Sequence, residues 1–260
     1  MRRMNGSCAL ALGLALSVLA SCASGSRSWT VADLASSLAD AGRSAEDRAR
    51  DGGRKPAEVV QFLGIERGMT VLDLLAASGW YTEVLSVAVG PKGRVYAQNT
   101  SFLLEMRGGY VDRAISARLA GDHLPNVTRL DEELNSLSLE PESLDAAVTA
   151  LNFHDLYNGY GPDATVSILS AVYDRLKPGG IFGVIDHVGA AGLDNEKLHR
   201  IERSRAIEAA TRAGFTLEAE SDLLRNPADD HTQSVFAPGL RGRTDRFVLR
   251  LRKPSRGTAP

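Results

Sequence analysis

The sequence has few cysteines, few aromatic residues and no marked excess of charge of either sign. Two cysteines in 260 residues cannot form a disulfide-rich scaffold, and aromatic residues make up only 6% of the chain. The 30 basic and 32 acidic side chains give a formal net charge of −2, which excludes the basic excess typical of nucleic-acid-binding proteins. Hydrophobic residues make up 43% and predict a folded core. The long apolar run is confined to residues 9–20, which excludes a polytopic membrane protein.

The first 21 residues are typical of a signal peptide. Arg2 and Arg3 precede the apolar run, which as a helix would span roughly 18 Å and fall short of the ~30 Å hydrocarbon core of a bilayer. The run ends in Leu-Ala-Ser-Cys at Cys22, which resembles the lipobox of bacterial lipoproteins. An uncleaved anchor or a misassigned start codon is the alternative. We therefore predict removal of residues 1–21 and lipidation of Cys22.

Lipidation would place the protein in the cell envelope, anchored at the periplasmic side. The outer membrane is favoured because Ala23, and not aspartate, follows Cys22. The lipid would then be the protein's one contact with a membrane. We predict a small-molecule substrate and no nucleic-acid partner.

The rest of the chain divides into three parts by pattern. Residues 22–55 are predicted to form a tether and a helical segment, with a helix at 31–41 and a turn at 51–54. Residues 56–253 alternate between apolar strands and helices, and residues 254–260 form a tail. The predicted strands lie at 70–74, 94–98, 127–130, 146–151, 181–185, 215–220 and 246–251. The main predicted helices lie at 56–63, 81–89, 111–119, 163–176 and 196–213. Apolar strands separated by helices predict an α/β fold with a parallel sheet covered on both faces.

A turn rich in small residues follows the first predicted strand. Residues 73–83 read DLLAASGWYTE, so a strand is followed by a short turn and then by a helix. Such a turn can hold a polar ligand at the helix N-terminus. The glycine pattern of a dinucleotide site and the Gly-Lys-Ser/Thr of a phosphate loop are both missing. A tight turn without a ligand is the alternative.

Polar residues also follow the fourth and fifth predicted strands. Asn152, His154 and Asp155 come after the fourth strand, and Asp186 and His187 come after the fifth. The carboxyl ends of neighbouring parallel strands open on one crevice, so these side chains are expected to converge there. A histidine titrates near neutrality and is a candidate general base, although a structural hydrogen-bonding role is an alternative. We predict no metal site, because adjacent residues in a strand point to opposite faces.

Several motifs together resemble those of class I S-adenosylmethionine-dependent methyltransferases. The matching motifs, in chain order, are residues 71–73 with the following turn, 93–99, 143–145 and 176–180. Shorter stretches at 79–83, 152–155 and 198–200 are similar to a bacterial subgroup of predicted methyltransferases, many of them exported. The resemblance covers residues 56–253. It implies a Rossmann-like, seven-stranded, mostly parallel sheet with helices on both faces, S-adenosylmethionine as cofactor, and methyl transfer to a small-molecule or envelope acceptor.

The resemblance also implies roles for particular residues. The cofactor-binding candidates are Asp73, Ala77, Ser78, Gly79, Tyr81, Asn99 and Asn152. The catalytic candidates are His154, Asp155 and His187, with a histidine as the base that deprotonates the acceptor.

Three positions depart from the family's pattern. Leu75 and Ala77 stand where the family has glycines, and Asn99 stands where it has a carboxylate that accepts from the ribose hydroxyls. Leu75 is expected to turn into the core. Replacing the carboxylate by an amide removes charge-assisted hydrogen bonds, a change of about 1 kcal/mol. A second hypothesis follows, in which the chain is a lipid-anchored binding or accessory protein that has lost the cofactor.

Three further polar segments have open interpretations. Residues 241–246 carry three arginines that either bind an anionic acceptor or belong to a solvated edge strand. Residues 51–54 either line the mouth of the site or lie on the surface. Residues 224–231 form a lid or a plain connection.

Overall fold

The computed structural model describes residues 28–257. The predicted signal peptide and Cys22 lie outside the described residues, so cleavage and lipidation stay predictions. Within the described part, no helix combines the length and the hydrophobicity needed to cross a bilayer.

Helices and strands alternate along most of the chain. The helices are α1 (Val31–Asp40), α2 (Ala45–Ala49), α3 (Asp51–Arg54), α4 (Pro56–Leu63), α5 (Trp80–Val89), α6 (Ser101–Leu119, interrupted at 106–109), α7 (Phe153–Tyr160), α8 (Pro162–Arg175), α9 (Asn195–Leu198) and α10 (Arg203–Arg212). The strands are β1 (Thr70–Leu74), β2 (Arg94–Asn99), β3 (Val127–Asp131), β4 (Leu144–Ala150), β5 (Leu176–His187), β6 (Thr216–Ser221) and β7 (Arg246–Arg252).

The strands form one seven-stranded sheet in the order β3-β2-β1-β4-β5-β7-β6. The first five strands in the chain are parallel to one another, while β7 pairs antiparallel with both β5 and β6. The mostly parallel seven-stranded sheet is thereby confirmed. The order reverses between β1 and β4, and in such sheets ligands bind beyond the carboxyl ends of the strands at this reversal.

Helices cover both faces of the sheet because successive residues of a strand point to opposite sides. In β1, Val71 packs into the cluster formed with α1, α4 and α5, whereas Leu72 and Leu74 pack into the cluster formed with α7, α8 and α10. Phe153 and Phe182 belong to the second cluster. The two cores therefore hold the ends of β1 and β4 in a fixed position.

The segment before α4 packs against the same core. Trp29 and Leu34 are buried, and the Trp29 indole donates a hydrogen bond to the Ala88 carbonyl at 2.7 Å. The Trp80 indole donates to the Asp47 carbonyl at 3.1 Å. Residues of α1 to α3 are thus attached to α5, the helix that follows the turn after β1. The domain boundary at residue 56 stays a prediction.

Several sequence-based expectations need correction. The single helix predicted at 196–213 is two helices, because His199 has a left-handed φ of 54° and Arg200 then turns into the interior to pair with Asp229. The turn predicted at 51–54 is the short helix α3, and α7 was not anticipated. The edge-strand interpretation of Arg246 is wrong, because β7 lies between β5 and β6 and Arg246 is buried.

Candidate active site

The turn after β1 follows a glycine-like path although only one of its three key residues is glycine. Leu75, Ala77 and Gly79 all have positive φ, at 55°, 49° and 80°. This region is disfavoured for residues with a Cβ, and such strain persists only where the surroundings enforce it. Leu75 is buried in the core, as expected.

Two amide side chains from the end of β2 enforce this conformation. The Leu75 N–H donates to the Gln98 side-chain oxygen at 3.0 Å, and the Ala77 N–H donates to Asn99 Oδ1 at 2.7 Å. Asn99 Nδ2 donates in return to the Ala77 carbonyl at 3.2 Å. A carboxylate at position 99 could accept the bond from the Ala77 N–H, but it could not donate the bond to the Ala77 carbonyl. Asn99, which stands in place of the family's carboxylate, therefore holds the turn in which Leu75 and Ala77 stand in place of the family's glycines.

Asp73 lies at the end of β1 and stabilises the helix that follows. Its carboxylate accepts from the Thr82 hydroxyl at 2.6 Å and from the Thr82 backbone N–H. Burial raises the pKa of Asp73 to about 7, although both bonds from Thr82 act in the opposite direction. Asp73 faces α5 and is buried.

Gly79 and Tyr81 are also held inside the protein. A Cβ on Gly79 would lie 2.6 Å from Ile115 Cδ1 and 3.0 Å from Arg118 Cδ, so α6 covers this side of the turn. Tyr81 is buried edge-on against Trp80, and burial raises its pKa to about 12.

Asn152 joins the turn to the end of β4. Its Nδ2 donates to the Leu75 carbonyl at 2.9 Å and to the Ala150 carbonyl at 3.1 Å. Asn152 also lines a cavity that opens beyond β4 and β5. One side of this residue therefore supports the turn, and the other faces the cavity.

His154 and Asp186 form a buried pair at the edge of this cavity. His154 Nδ1 donates to Asp186 Oδ1 at 2.8 Å, and the His154 backbone N–H donates to Oδ2 at 2.7 Å. Burial acts to lower the pKa of His154, but the charge of Asp186, its hydrogen bond and the charge of Asp155 outweigh burial and raise it. Burial acts to raise the pKa of Asp186, but His154 and His187 outweigh it and lower it. The pair fixes the tautomer of His154 and leaves Nε2 on the side away from Asp186.

His187 behaves differently although it also lines the cavity. Its Nδ1 lies 2.7 Å from Thr244 Oγ1, and its ring centroid is 5.7 Å from that of His154. Burial lowers the pKa of His187 to about 3, so its imidazole is neutral at physiological pH and a weak base. Of the two candidate histidines, His154 is the better general base.

Asp155 lies between His154 and a histidine outside the predicted site. Its Oδ1 is 3.3 Å from His154 Nε2 and 3.4 Å from His199 Nδ1. One ligand atom from each of these three residues lies within 4.8 Å of the others, a group able to hold a metal ion. His199 comes from another part of the chain than the polar residues that follow the fourth and fifth predicted strands. The expectation of no metal stays a prediction.

The cavity has a volume of about 840 Å³ and a basic lining. Its acidic residues are Glu46 and Asp155. Its basic residues include the arginines Arg50, Arg54, Arg241, Arg243 and Arg246. Arg50 is paired with Glu46 at 2.5 Å.

The structure thus separates the candidates into two neighbouring groups. His154, Asp155, His187 and Asn152 line the cavity. The remaining cofactor candidates lie in or behind the turn, and they are Asp73, Ala77, Ser78, Gly79, Tyr81 and Asn99. Of residues 51–54, for which the sequence left both the mouth of the site and the surface open, Arg54 lines the cavity. The charge-rich composition before α4 was the available signal.

Comparisons with known proteins agree with this architecture. No model of a known protein family matches the chain. The chain is 34% identical over 83 residues to ribosomal RNA large subunit methyltransferase E of Myxococcus xanthus, a match that covers 32% of this chain and 39% of the relative. The chain therefore spans about two fifths of the curated relative that it matches.

Solved structures match over a larger part of the chain. A SAM-dependent methyltransferase from Aquifex aeolicus superposes with a TM-score of 0.56 at 20% identity, covering 76% of this chain and 89% of that one. A TehB-like SAM-dependent methyltransferase from Corynebacterium glutamicum superposes with a TM-score of 0.50 at 17% sequence identity, and the match covers 85% of this chain and 95% of that one. The [4+2]-cyclase SpnF superposes with a TM-score of 0.55 at 19% sequence identity, and the match covers 86% of this chain and 93% of that one. The chain has the Rossmann-like α/β fold of class I SAM-dependent methyltransferases, a fold that also serves a cyclase.

Proposed function

We propose that the protein is an S-adenosylmethionine-dependent methyltransferase whose acceptor is a small molecule bound in the cavity. The observation that carries the proposal is the Asp186–His154 pair beside a cavity that Asn152 connects to the turn after β1. The arginines line a cavity and the formal net charge of the chain is −2, so a small acceptor fits better than the ribosomal RNA in the name of the Myxococcus relative.

The turn fits the cofactor through its backbone. Leu75, Ala77 and Gly79 keep the positive φ that glycines would adopt at these positions. Ala77 and Ser78 are half-buried, so part of their surface is open to a ligand. Asn99 is fully buried with its amide bonded to Ala77, so it would reach a ribose only after releasing that residue. We therefore assign cofactor contact first to Ala77, Ser78 and Asn152, and contact by Asn99 requires a rearrangement.

The chemistry divides between the cofactor and the chain. When bound, S-adenosylmethionine supplies a methyl group on a sulfonium, and an in-line displacement leaves the bonding electron pair on sulfur. His154 Nε2 accepts the proton that the acceptor's nucleophilic atom loses. Asp186 stabilises the resulting imidazolium and keeps the ring in place. Asp155 adds negative charge beside the same ring.

A calorimetric titration with S-adenosylmethionine tests the proposal. The wild-type chain should bind, and Ala77→Gly should bind with similar affinity, because φ at Ala77 is already positive and glycine keeps that conformation without strain. The fold should be unaffected, with a stability change within about 1 kcal/mol. A chain that gives no heat and no thermal shift with millimolar S-adenosylmethionine would support the cofactor-free accessory protein instead.

We also propose that the mature protein is attached to the periplasmic side of the envelope through a lipid on Cys22, with the outer membrane as the favoured location. The support is the sequence pattern at residues 2–22. Cys22→Ser should move the protein from the membrane fraction to the soluble periplasmic fraction. Unchanged membrane retention would contradict the lipid anchor.

A further inference from the structure

We propose that the cavity beside His154 holds its methyl acceptor by an anionic group, a carboxylate or a phosphate, bound between Arg54 and Arg246. The proposal rests on the proposed function only in identifying the bound molecule as the acceptor. The anion site itself follows from the charges of the described residues.

Arg246 differs from the other arginines that are fully buried. Arg43 pairs with Asp51 at 2.7 Å, and Arg200 pairs with Asp229 at 3.0 Å. Arg246 is only 5% exposed, yet its hydrogen bonds go to carbonyl groups, from Nη2 to Gly53 O at 2.6 Å and from Nε to Thr244 O at 3.3 Å. Within residues 28–257 no carboxylate lies within ion-pair distance of it. Asp245 acts to raise the pKa of Arg246 but lies beyond ion-pair distance. A buried charge without a directly paired counterion is costly, so this arrangement favours an anion from outside the chain.

Arg54 brings a second guanidinium to the same place. It is partly buried, and its guanidinium lies 4.5 Å from the centre of the Trp80 ring. This guanidinium has neither a hydrogen bond nor an ion pair with any residue of the described chain. Burial lowers the pKa of both Arg54 and Arg246, and the charge of Arg246 adds to the lowering at Arg54. Two guanidiniums that repel each other would both be stabilised by one shared anion, which can accept charge-assisted bonds from each.

The tertiary structure holds the two arginines together. Arg54 ends α3 in the N-terminal segment, and Arg246 begins β7, almost at the other end of the chain. The bond from Arg246 to the Gly53 carbonyl joins these two segments next to Arg54. Because the backbone positions are fixed by this contact, the guanidiniums need little reorganisation when an anion binds.

The location of the site favours the acceptor over the cofactor as the source of the anion. Both arginines line the cavity with His154 and His187, whereas Ala77, Ser78 and Asn99 of the turn do not line it. An acceptor held by its anionic end in this cavity places the remainder of the molecule in the space shared with His154. The cofactor's own carboxylate carries the same chemistry, so the experiment must separate the two sources.

The first measurement uses inorganic phosphate as the probe, without S-adenosylmethionine. Thermal stability is followed while phosphate replaces chloride at constant ionic strength, which separates binding from general screening. Wild-type protein should be stabilised, and Arg54→Gln should bind phosphate about tenfold more weakly. The Arg54 guanidinium makes no hydrogen bond within the described chain, and the bond from its backbone N–H to the Arg50 carbonyl is kept in the variant, so Arg54→Gln should fold normally. The matched control is Arg203→Gln, a surface arginine paired with Glu220 and distant from the cavity lining, which should behave as wild type.

The second measurement compares S-adenosylmethionine binding by the same three proteins. Arg54→Gln should bind S-adenosylmethionine as wild type does. An equal loss of affinity for S-adenosylmethionine and phosphate would identify the cofactor's carboxylate as the anion and overturn the assignment to the acceptor. Absence of phosphate stabilisation in wild type, or equal stabilisation of Arg54→Gln, would overturn the anion site. Phosphate binding without S-adenosylmethionine binding would leave the anion site standing and reject the proposed function.

Discussion

The turn after β1 and the cavity beyond β4 and β5 differ in how far their polar side chains are paired with other groups of the chain. In the turn, Asp73 is bonded to Thr82, and Asn99 is bonded on both amide atoms to Ala77. In the cavity, Arg54 and Arg246 have no carboxylate partner within the described residues. Polar side chains near a sheet end are therefore not equivalent. The bonded groups of the turn maintain its shape, whereas the two arginines without a carboxylate partner are available to an anionic ligand.

Replacing His154 tests the cavity side and should have the largest effect. His154→Ala should lower methyl transfer by about 10²–10⁴-fold while cofactor affinity is retained, because a general base is lost. His187→Gln is the matched control and should cost far less, since the pKa of His187, lowered to about 3 by burial, makes it a weak base. The measurement is transfer of labelled methyl groups from S-adenosylmethionine. Equal losses in the two variants would remove the distinction between them.

The pH profile of the same reaction sharpens this assignment. Asp186 and Asp155 raise the pKa of His154, so the rate should increase as pH rises through that raised value and the base loses its proton. Asp155→Asn removes part of this effect and should move the rising limb to lower pH. A limb that stays in place would show that another group limits the rate.

Gly79 tests the turn side, where the expected effect is on stability. Gly79→Ala should destabilise the fold by about 2–4 kcal/mol, because the new Cβ would lie 2.6 Å from Ile115 Cδ1 at a φ of 80°. Gly68→Ala is the matched control, since its φ is 85° but no atom lies within 4 Å of the new Cβ. It should cost about 1–2 kcal/mol from backbone strain alone. Urea denaturation measures both, and equal costs would mean that α6 does not press on the turn.

Asp73 also tests the turn side, through a dependence of stability on pH. Burial raises the pKa of Asp73 in the folded protein from its ordinary acidic range to about 7, so folding favours the protonated form. The unfolded chain loses this proton first, and the contribution of Asp73 to stability therefore falls as pH rises from about 4 to 7. Asp73→Asn removes this dependence. Its melting temperature relative to wild type should increase over that range, and a constant difference would contradict the raised pKa.

Much of the sheet could be predicted because its information is local. Residues 70–74 are confirmed as β1, and Pro56 and Gly64 mark the beginning and end of α4 as predicted. The helix predicted at 196–213 was wrong because its interruption depends on a distant partner. Arg200 leaves the helical path to pair with Asp229, and a periodic pattern within residues 196–213 contains no trace of that contact.

The candidate site was accessible to sequence reasoning only in part. His154, Asp155, His187 and Asn152 follow strands that could be recognised, so their convergence on one cavity could be anticipated. Which histidine keeps a raised pKa depends on the burial and contacts of Asp186, which no spacing shows.

The sequence by itself determined the alternation of strands and helices, the position of the turn and the polar residues at the strand ends, because hydrophobic periodicity and turn chemistry act over a few neighbouring residues. That Arg54 and Arg246 line one cavity, and that Asn99 binds the turn, followed only from the tertiary contacts. Those contacts join segments far apart in the chain, and their energies come from burial and pairing that exist only after the chain has folded.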